Sequence, residues 1–240
     1  MTGGRWWRVF GGVLVPVAVA GLAACSGGSG SGSAGNSAAR SSAAGAASGM
    51  FSAARLRGAL LTRVNGVAAV TPARTGEYAS LAAVSTGRSA ASAVQISPSA
   101  CAGAAIAGFG SAILAQAPAA AVTFRLGGNK VSEVLIASSA DSASGVLAGR
   151  VPAGCARYRG KVAGKTVKYR LTDKAVTGIG QQARVLHVRA GGTAPVNQWS
   201  LVYRGAGFVG TVTVIGPNAS ELAVRELAEQ AYAFAAKSLA

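Results

Sequence analysis

The chain has 240 residues, with 23 Lys and Arg against 7 Asp and Glu, one His, three Cys and 34 Gly, and half of its residues are apolar. Seven carboxylates and one imidazole supply few acids, bases or metal ligands, which argues against a densely catalytic site. The apolar half excludes disorder throughout, and the formal charge of +16 points to anionic surroundings without choosing among them.

Arg5-Trp6-Trp7-Arg8 precedes an uncharged apolar run from Val9 to Ala20, followed by Gly21-Leu22-Ala23-Ala24-Cys25. A basic start, a short apolar stretch and small residues read as an export signal over residues 1–24, too short for a membrane span. Leu22-Ala23-Ala24-Cys25 resembles the bacterial lipobox, in which the cysteine sulfur takes a diacylglycerol and the chain is cut before it. An uncleaved anchor and an ordinary signal peptide are the other readings. From Ser26 to Gly49 every residue is Ser, Gly or Ala except Asn36 and Arg40, so residues 25–49 read as a lipidated cysteine on a flexible tether spanning roughly 25–30 Å. Export places Cys101 and Cys155 in an oxidising compartment, where a pair most simply forms one structural disulfide; buried free thiols or a redox site are the alternatives.

Residues 50–240 read as a single globular domain. Phe51, Leu56, Leu60, Leu61 and Val64 predict a short helix that Asn65-Gly66 stops. Residues 67–97 give no firm assignment. Pro98-Ser99 predicts a second helix to about Leu114, carrying Cys101, Ile106, Phe109 and Ile113. Ala121–Leu126 and Val131–Ala137 read as a hairpin, and Asp141–Leu147 as a helix. In Lys165–Leu171 the residues Val167, Tyr169 and Leu171 alternate with Thr166, Lys168 and Arg170. Strands at Ala183–Arg189, Gln198–Arg204 and Phe208–Ile215 complete an antiparallel meander. A final helix starts at a capping box of Asn218 and Glu221 and carries Leu222, Leu227, Ala231, Phe234 and Ala235 inward. The expected fold is α+β: an antiparallel β-sheet packed against helices as a two-layer sandwich, with the C-terminal helix on the sheet and one sheet face covered.

Three features bear on chemistry. Gly178-Ile179-Gly180-Gln181-Gln182-Ala183 imitates a dinucleotide fingerprint but leads into a strand, so it reads as a turn. His187 has no second imidazole or nearby carboxylate and reads as a packed or surface residue. Arg150, Arg157, Arg159, Lys161, Lys165, Lys168, Arg170 and Lys174 are opposed locally by Asp173 alone. Within that run Arg157, Arg159, Lys161, Lys165, Lys168 and Arg170 form a candidate patch for an anionic partner, such as an envelope lipid, a wall polymer or a partner protein; a solvated sheet face is the other reading. Nucleic acid does not fit an exported chain without aromatics interleaved in the patch, and no metal or cofactor site is expected.

The order of lipobox, Ser/Gly linker, Leu-Leu helix, Pro-x-x-Cys, Cys155, Gly178-Ile179-Gly180-Gln181-Gln182-Ala183 and Tyr203-Arg204-Gly205 resembles actinobacterial lipoproteins. The domain is similar to the extracellular sensor domain of the mycobacterial receptor kinase PknH or to LpqN-type lipoproteins. That sensor domain carries two disulfides where one is available here, and its Gly-x-Gly loop often continues with an acid where this chain has Gln181. The resemblance implies a non-enzymatic ligand-binding or sensor-like domain, lipid-anchored on the extracytoplasmic face of the cell membrane. An envelope serine hydrolase and a carrier of an apolar envelope lipid are the alternatives.

Overall fold

The computed structural model describes residues 51–102, 112–162, 164–192 and 195–240. The expected export signal, lipobox and tether lie outside those residues, as does the middle of the helix expected from Pro98 to Leu114. The two ends of that segment are single 3-10 turns, Ser99–Cys101 and Ala112–Leu114.

The chain opens with α1 (Ala53–Gly58) and a small hairpin of β1 (Arg63–Val64) and β2 (Val67–Ala68). It continues through β3 (Thr71–Glu77), α2 (Ala82–Ser92), β4 (Gln95–Ser97), β5 (Pro118–Leu126), β6 (Asn129–Ala137) and α3 (Ala140–Ala148). The meander β7 (Arg157–Val162), β8 (Lys165–Val176), β9 (Gln182–Ala190), β10 (Val196–Gly205) and β11 (Phe208–Gly216) follows, and α4 (Glu221–Leu239) ends the chain. Among the described residues one antiparallel sheet holds nine strands in the order β3-β5-β6-β11-β10-β9-β8-β7-β4. The architecture is α+β with the terminal helix on the sheet, as the sequence predicts.

Alternation along the central strands sends apolar side chains to both faces. Ala120, Val122 and Phe124 of β5 join Leu135, Leu201, Tyr203 and Val212 beneath α1 and α4. Ala119 and Ala121 join Val134, Ile136, Val202 and Val209 on the opposite face, beneath Tyr78, Leu81 and the Ala143, Val146 and Leu147 side chains of α3. The second face is therefore also covered in part, which extends the expected arrangement. Gly210 lies opposite Tyr203 across β10 and β11, and a Cβ there would sit 2.1 Å from the Tyr203 ring. That ring lies across the glycine and meets Tyr232 of α4 edge-on at 5.7 Å.

Several local expectations are corrected. Asn65-Gly66 does not stop a helix; α1 ends at Gly58, and the pair forms the two-residue turn between β1 and β2 with positive φ at both positions. The cap of α4 is Ser220, whose hydroxyl accepts from the Ala223 N–H, while the Asn218 side chain donates to the Gly127 carbonyl. The Glu221 carboxylate meets Lys174 at 2.8 Å. Helix α4 is rotated accordingly: Leu222 is 69 % exposed and Phe234 is also exposed, and Val224, Leu227, Ala228, Ala231, Ala235 and Leu239 face the sheet. The unassigned residues 67–97 supply β2, β3, α2 and β4, and β7 was not expected.

Cys101 and Cys155 form a disulfide across 54 residues. It ties the turn after β4 to the approach to β7, and packs with Tyr158, Leu171, Leu186 and Val188. Cys101→Ser/Cys155→Ser should lower the unfolding free energy by about 2–4 kcal/mol, since a loop of that length gains freedom in the unfolded chain. A urea midpoint unchanged from the oxidised protein would show that the bridge contributes nothing to stability.

Candidate functional site

Helix α2 reads Ala-Ala-Val-Ser-Thr-Gly-Arg-Ser-Ala-Ala-Ser, with little apolar bulk to seat it on the sheet. Between it and the sheet lies a cavity of about 810 Å³, walled by Leu81, Val84, Ile96, Val134 and Val188 among others. At one end Tyr158 and Tyr169 stack at 4.9 Å, and burial raises the Tyr158 phenol to about 12. Among the described residues Arg74 and Lys130 also line the cavity and no carboxylate does.

The floor is set by strand register. Thr71 lies opposite Thr123, Thr123 opposite Ser132, Ser132 opposite Thr213, and Thr213 opposite Ser200. All five line the cavity, so one row of hydroxyls crosses β3, β5, β6, β11 and β10 over roughly 19 Å. Ser200 and Thr213 share a hydrogen bond of 3.0 Å, and Gln198 donates to Ser200 at 3.3 Å. Hydroxyls offer both donors and acceptors and apolar walls remove water, so the groove suits an amphipathic ligand with several oxygens.

Sequence reading missed this groove. Its trace is a hydroxyl at a cavity-facing position in otherwise apolar strands: Thr123, Ser132, Ser200, Thr211 and Thr213. His187 lies on the other sheet face, stacked on Trp199 at 3.9 Å, with Nε2 3.4 Å from Asn197 Oδ1. Partial burial lowers its pKa. It is not placed to take a proton from Ser132 or Ser200. The Gly178–Gln181 segment joins β8 to β9. Gly180 has φ +62°, and a Cβ there would sit 2.4 Å from the Arg204 carbonyl. Gln181 takes a 2.8 Å hydrogen bond from Arg204 Nε. Gly180 admits the neighbouring strand, as expected of a turn.

The basic residues divide between the two faces. Arg157 is opposite Arg170, Arg159 opposite Lys168, and Arg170 opposite Arg189. These five and Lys161 share the α4 side of the sheet and are exposed. Lys165 has the parity of Tyr169 and lies on the groove side, so it leaves the patch. Asp173 also faces the groove side and pairs with buried Arg184, so it does not oppose the patch. Arg189, which the sequence reading omitted, joins it.

No protein-family model matches the chain, and no curated protein sequence matches it. Among solved structures it is similar to the extracellular domain of PknH from Mycobacterium tuberculosis. The identity is 14 % and the TM-score 0.42, over 70 % of this chain and 82 % of that one. It is also similar to an uncharacterised Mycobacterium smegmatis protein, the Rv0999 ortholog, at 14 % identity and TM-score 0.35, over 61 % and 74 %. Likenesses of this strength assign neither family nor activity.

Proposed function

We propose that this chain is a lipid-anchored envelope lipoprotein whose extracytoplasmic domain holds an amphipathic small molecule in the groove beneath α2, as a sensor or carrier without catalysis. The cavity carries this reading: about 810 Å³ is the size of a small-molecule site. Hydroxyls along one wall and apolar side chains along the others match a ligand with a polar edge and a hydrocarbon body. Arg74 and Lys130 favour a neutral or anionic polar group. Anchoring rests on Leu22-Ala23-Ala24-Cys25 and the tether behind it. Two or three acyl chains on Cys25 hold a protein on a bilayer far more firmly than one.

Mass spectrometry of the protein extracted from membranes tests both parts. The polypeptide should begin at a diacylglyceryl-modified Cys25, and native spectra should show an adduct that organic solvent releases. Ser132→Trp places an indole in the cavity and should cut adduct occupancy at least tenfold, with stability changed by less than about 2 kcal/mol because the side chain enters open space. Empty wild-type protein under native conditions, or full occupancy in the variant, would reject the groove.

A further inference from the structure

The sheet face opposite the groove presents a cationic surface with no counterpart in that binding site. Arg157, Arg170 and Arg189 lie side by side on β7, β8 and β9, with Arg159 and Lys168 in the adjoining row and Lys161 beyond them. Neighbouring strands are about 4.8 Å apart, so the first row sets three arginine positions along roughly 10 Å across the sheet. Among the described residues none of these six side chains has an ion-pair or hydrogen-bond partner. Like charges directly opposite each other repel, and β7, β8 and β9 supply no carboxylate on this face. The chain's seven acids are Glu77, Glu133, Asp141, Asp173, Glu221, Glu226 and Glu229; only Asp173 belongs to β7, β8 or β9, and it points to the groove side. Arg150 is on neither row, and Lys174 is held by Glu221.

We infer that this face docks the domain on an anionic phospholipid surface. Two observations favour a bilayer over a polymer strand or a protein. The basic residues form two rows across three adjoining strands instead of a single line, which suits an area of headgroup phosphates more than one polymer strand. Arginine binds phosphate through paired N–H groups, and four of the six are arginine. Phe51, the first described residue, packs beneath α1 in the core of this same sheet side. The inference rests on the envelope reading for its setting but not on the groove, which opens on the opposite face.

The test labels arginines with phenylglyoxal in the full chain. Vesicles are phosphatidylcholine alone or phosphatidylcholine with about 30 % phosphatidylglycerol. The N-terminal segment is basic as well as apolar, with Arg5, Arg8 and Arg40, and it too favours the anionic vesicles, so the face that meets the lipid is read residue by residue, against Arg74. Labelling of Arg157, Arg159, Arg170 and Arg189 should fall severalfold with the anionic vesicles only, and recover in about 0.5 M salt, where the Debye length is about 4 Å. Arg74, on the groove side, should label equally throughout. Lys168→Gln/Arg170→Gln should weaken the protective affinity about 25-fold, near fivefold per cation removed, while keeping the groove adduct as evidence of folding. Equal labelling in the two lipids would overturn the inference. So would protection by a soluble anionic polysaccharide with none from vesicles, which would assign the face to a wall polymer. Loss of the groove adduct in wild-type protein bears on the proposed function alone.

Discussion

The domain should lose stability as pH rises from about 4.5 to about 8, and Glu133→Gln should remove most of that loss. Glu133 is on β6 with 1 % of its surface exposed, in the layer beneath α1 and α4. Its Oε2 accepts the Leu61 N–H at 3.0 Å, and among the described residues its Oε1 has no partner. Burial pushes its pKa up to about 8 from an ordinary 4.5, against the smaller opposite effect of the Leu61 hydrogen bond. Between those values the folded chain keeps a proton that the unfolded chain has released, so raising the pH favours unfolding. Each pH unit in the window costs about 1.4 kcal/mol, or about 5 kcal/mol across it. That is a large part of the 5–15 kcal/mol typical of a domain.

His187 shifts in the other direction, so it weakens the fold only on the acid side of its ordinary value of 6.5 and contributes no alkaline loss. The amide of the Glu133→Gln variant retains an oxygen for the Leu61 N–H and carries no charge at any pH. Urea unfolding at pH 5 should find the two proteins within about 1 kcal/mol, and at pH 9 the variant should be the more stable by several kcal/mol. Parallel stability curves over that range would show that Glu133 is not the group responsible.

The parts of this fold legible in the sequence are those with a strict local period. Val167, Tyr169 and Leu171 against Thr166, Lys168 and Arg170 locate β8 and assign its two faces correctly, because strand alternation needs no partner to be read. The three strands after it and α4 follow from the same kind of pattern. What failed was set by tertiary partners. Asn65-Gly66 suits a helix end and a hairpin turn equally, and the pairing of β1 with β2 decides between them. Asn218 and Ser220 both make acceptable caps; Asn218 is drawn to Gly127 in the β5–β6 turn, which leaves Ser220.

The groove was hidden for a related reason. Its roof, α2, is rich in Ser, Ala and Gly and carries no apolar stripe, and its floor comes from five strands whose hydroxyls align only once register is known. The basic patch was half legible. Parity placed Lys168 with Arg170 and would equally have excluded Lys165 and Asp173, each an odd number of residues from Lys168 or Arg170. Arg157, Arg159, Lys161 and Arg189 join that face only through the pairing of β7, β8 and β9. The groove and the cationic patch therefore occupy opposite sides of one sheet, so substitutions on one side leave the residues of the other in place.

Asp173→Ala should destabilise the domain by about 3–5 kcal/mol, the usual consequence of stranding a buried charge. Arg184 and Asp173 are 7 % and 9 % exposed at their side chains. Arg184 Nε donates to Asp173 Oδ1 at 3.1 Å, and its Nη2 donates to Oδ2. The same Oδ2 takes the Val151 N–H at 3.3 Å, and Arg184 Nη1 reaches the Leu147 carbonyl at 3.4 Å. One paired charge thus joins β8 and β9 to the end of α3 and the chain beyond it. Alanine at 173 leaves the guanidinium with the Leu147 carbonyl as its remaining partner and the Val151 N–H without an acceptor, each a desolvation cost with nothing to offset it. Removing both charges is a different perturbation. Asp173→Leu/Arg184→Met fills a similar volume with apolar groups and should recover most of the loss, because the desolvation of both ions disappears together with their attraction. Guanidinium denaturation of the single and double variants measures this difference, and hydrogen exchange should accelerate first in α3 and residues 149–154 of the single variant. A single variant within about 0.5 kcal/mol of wild type, or a double variant as unstable as the single, would show that the pair does not hold α3 to the sheet.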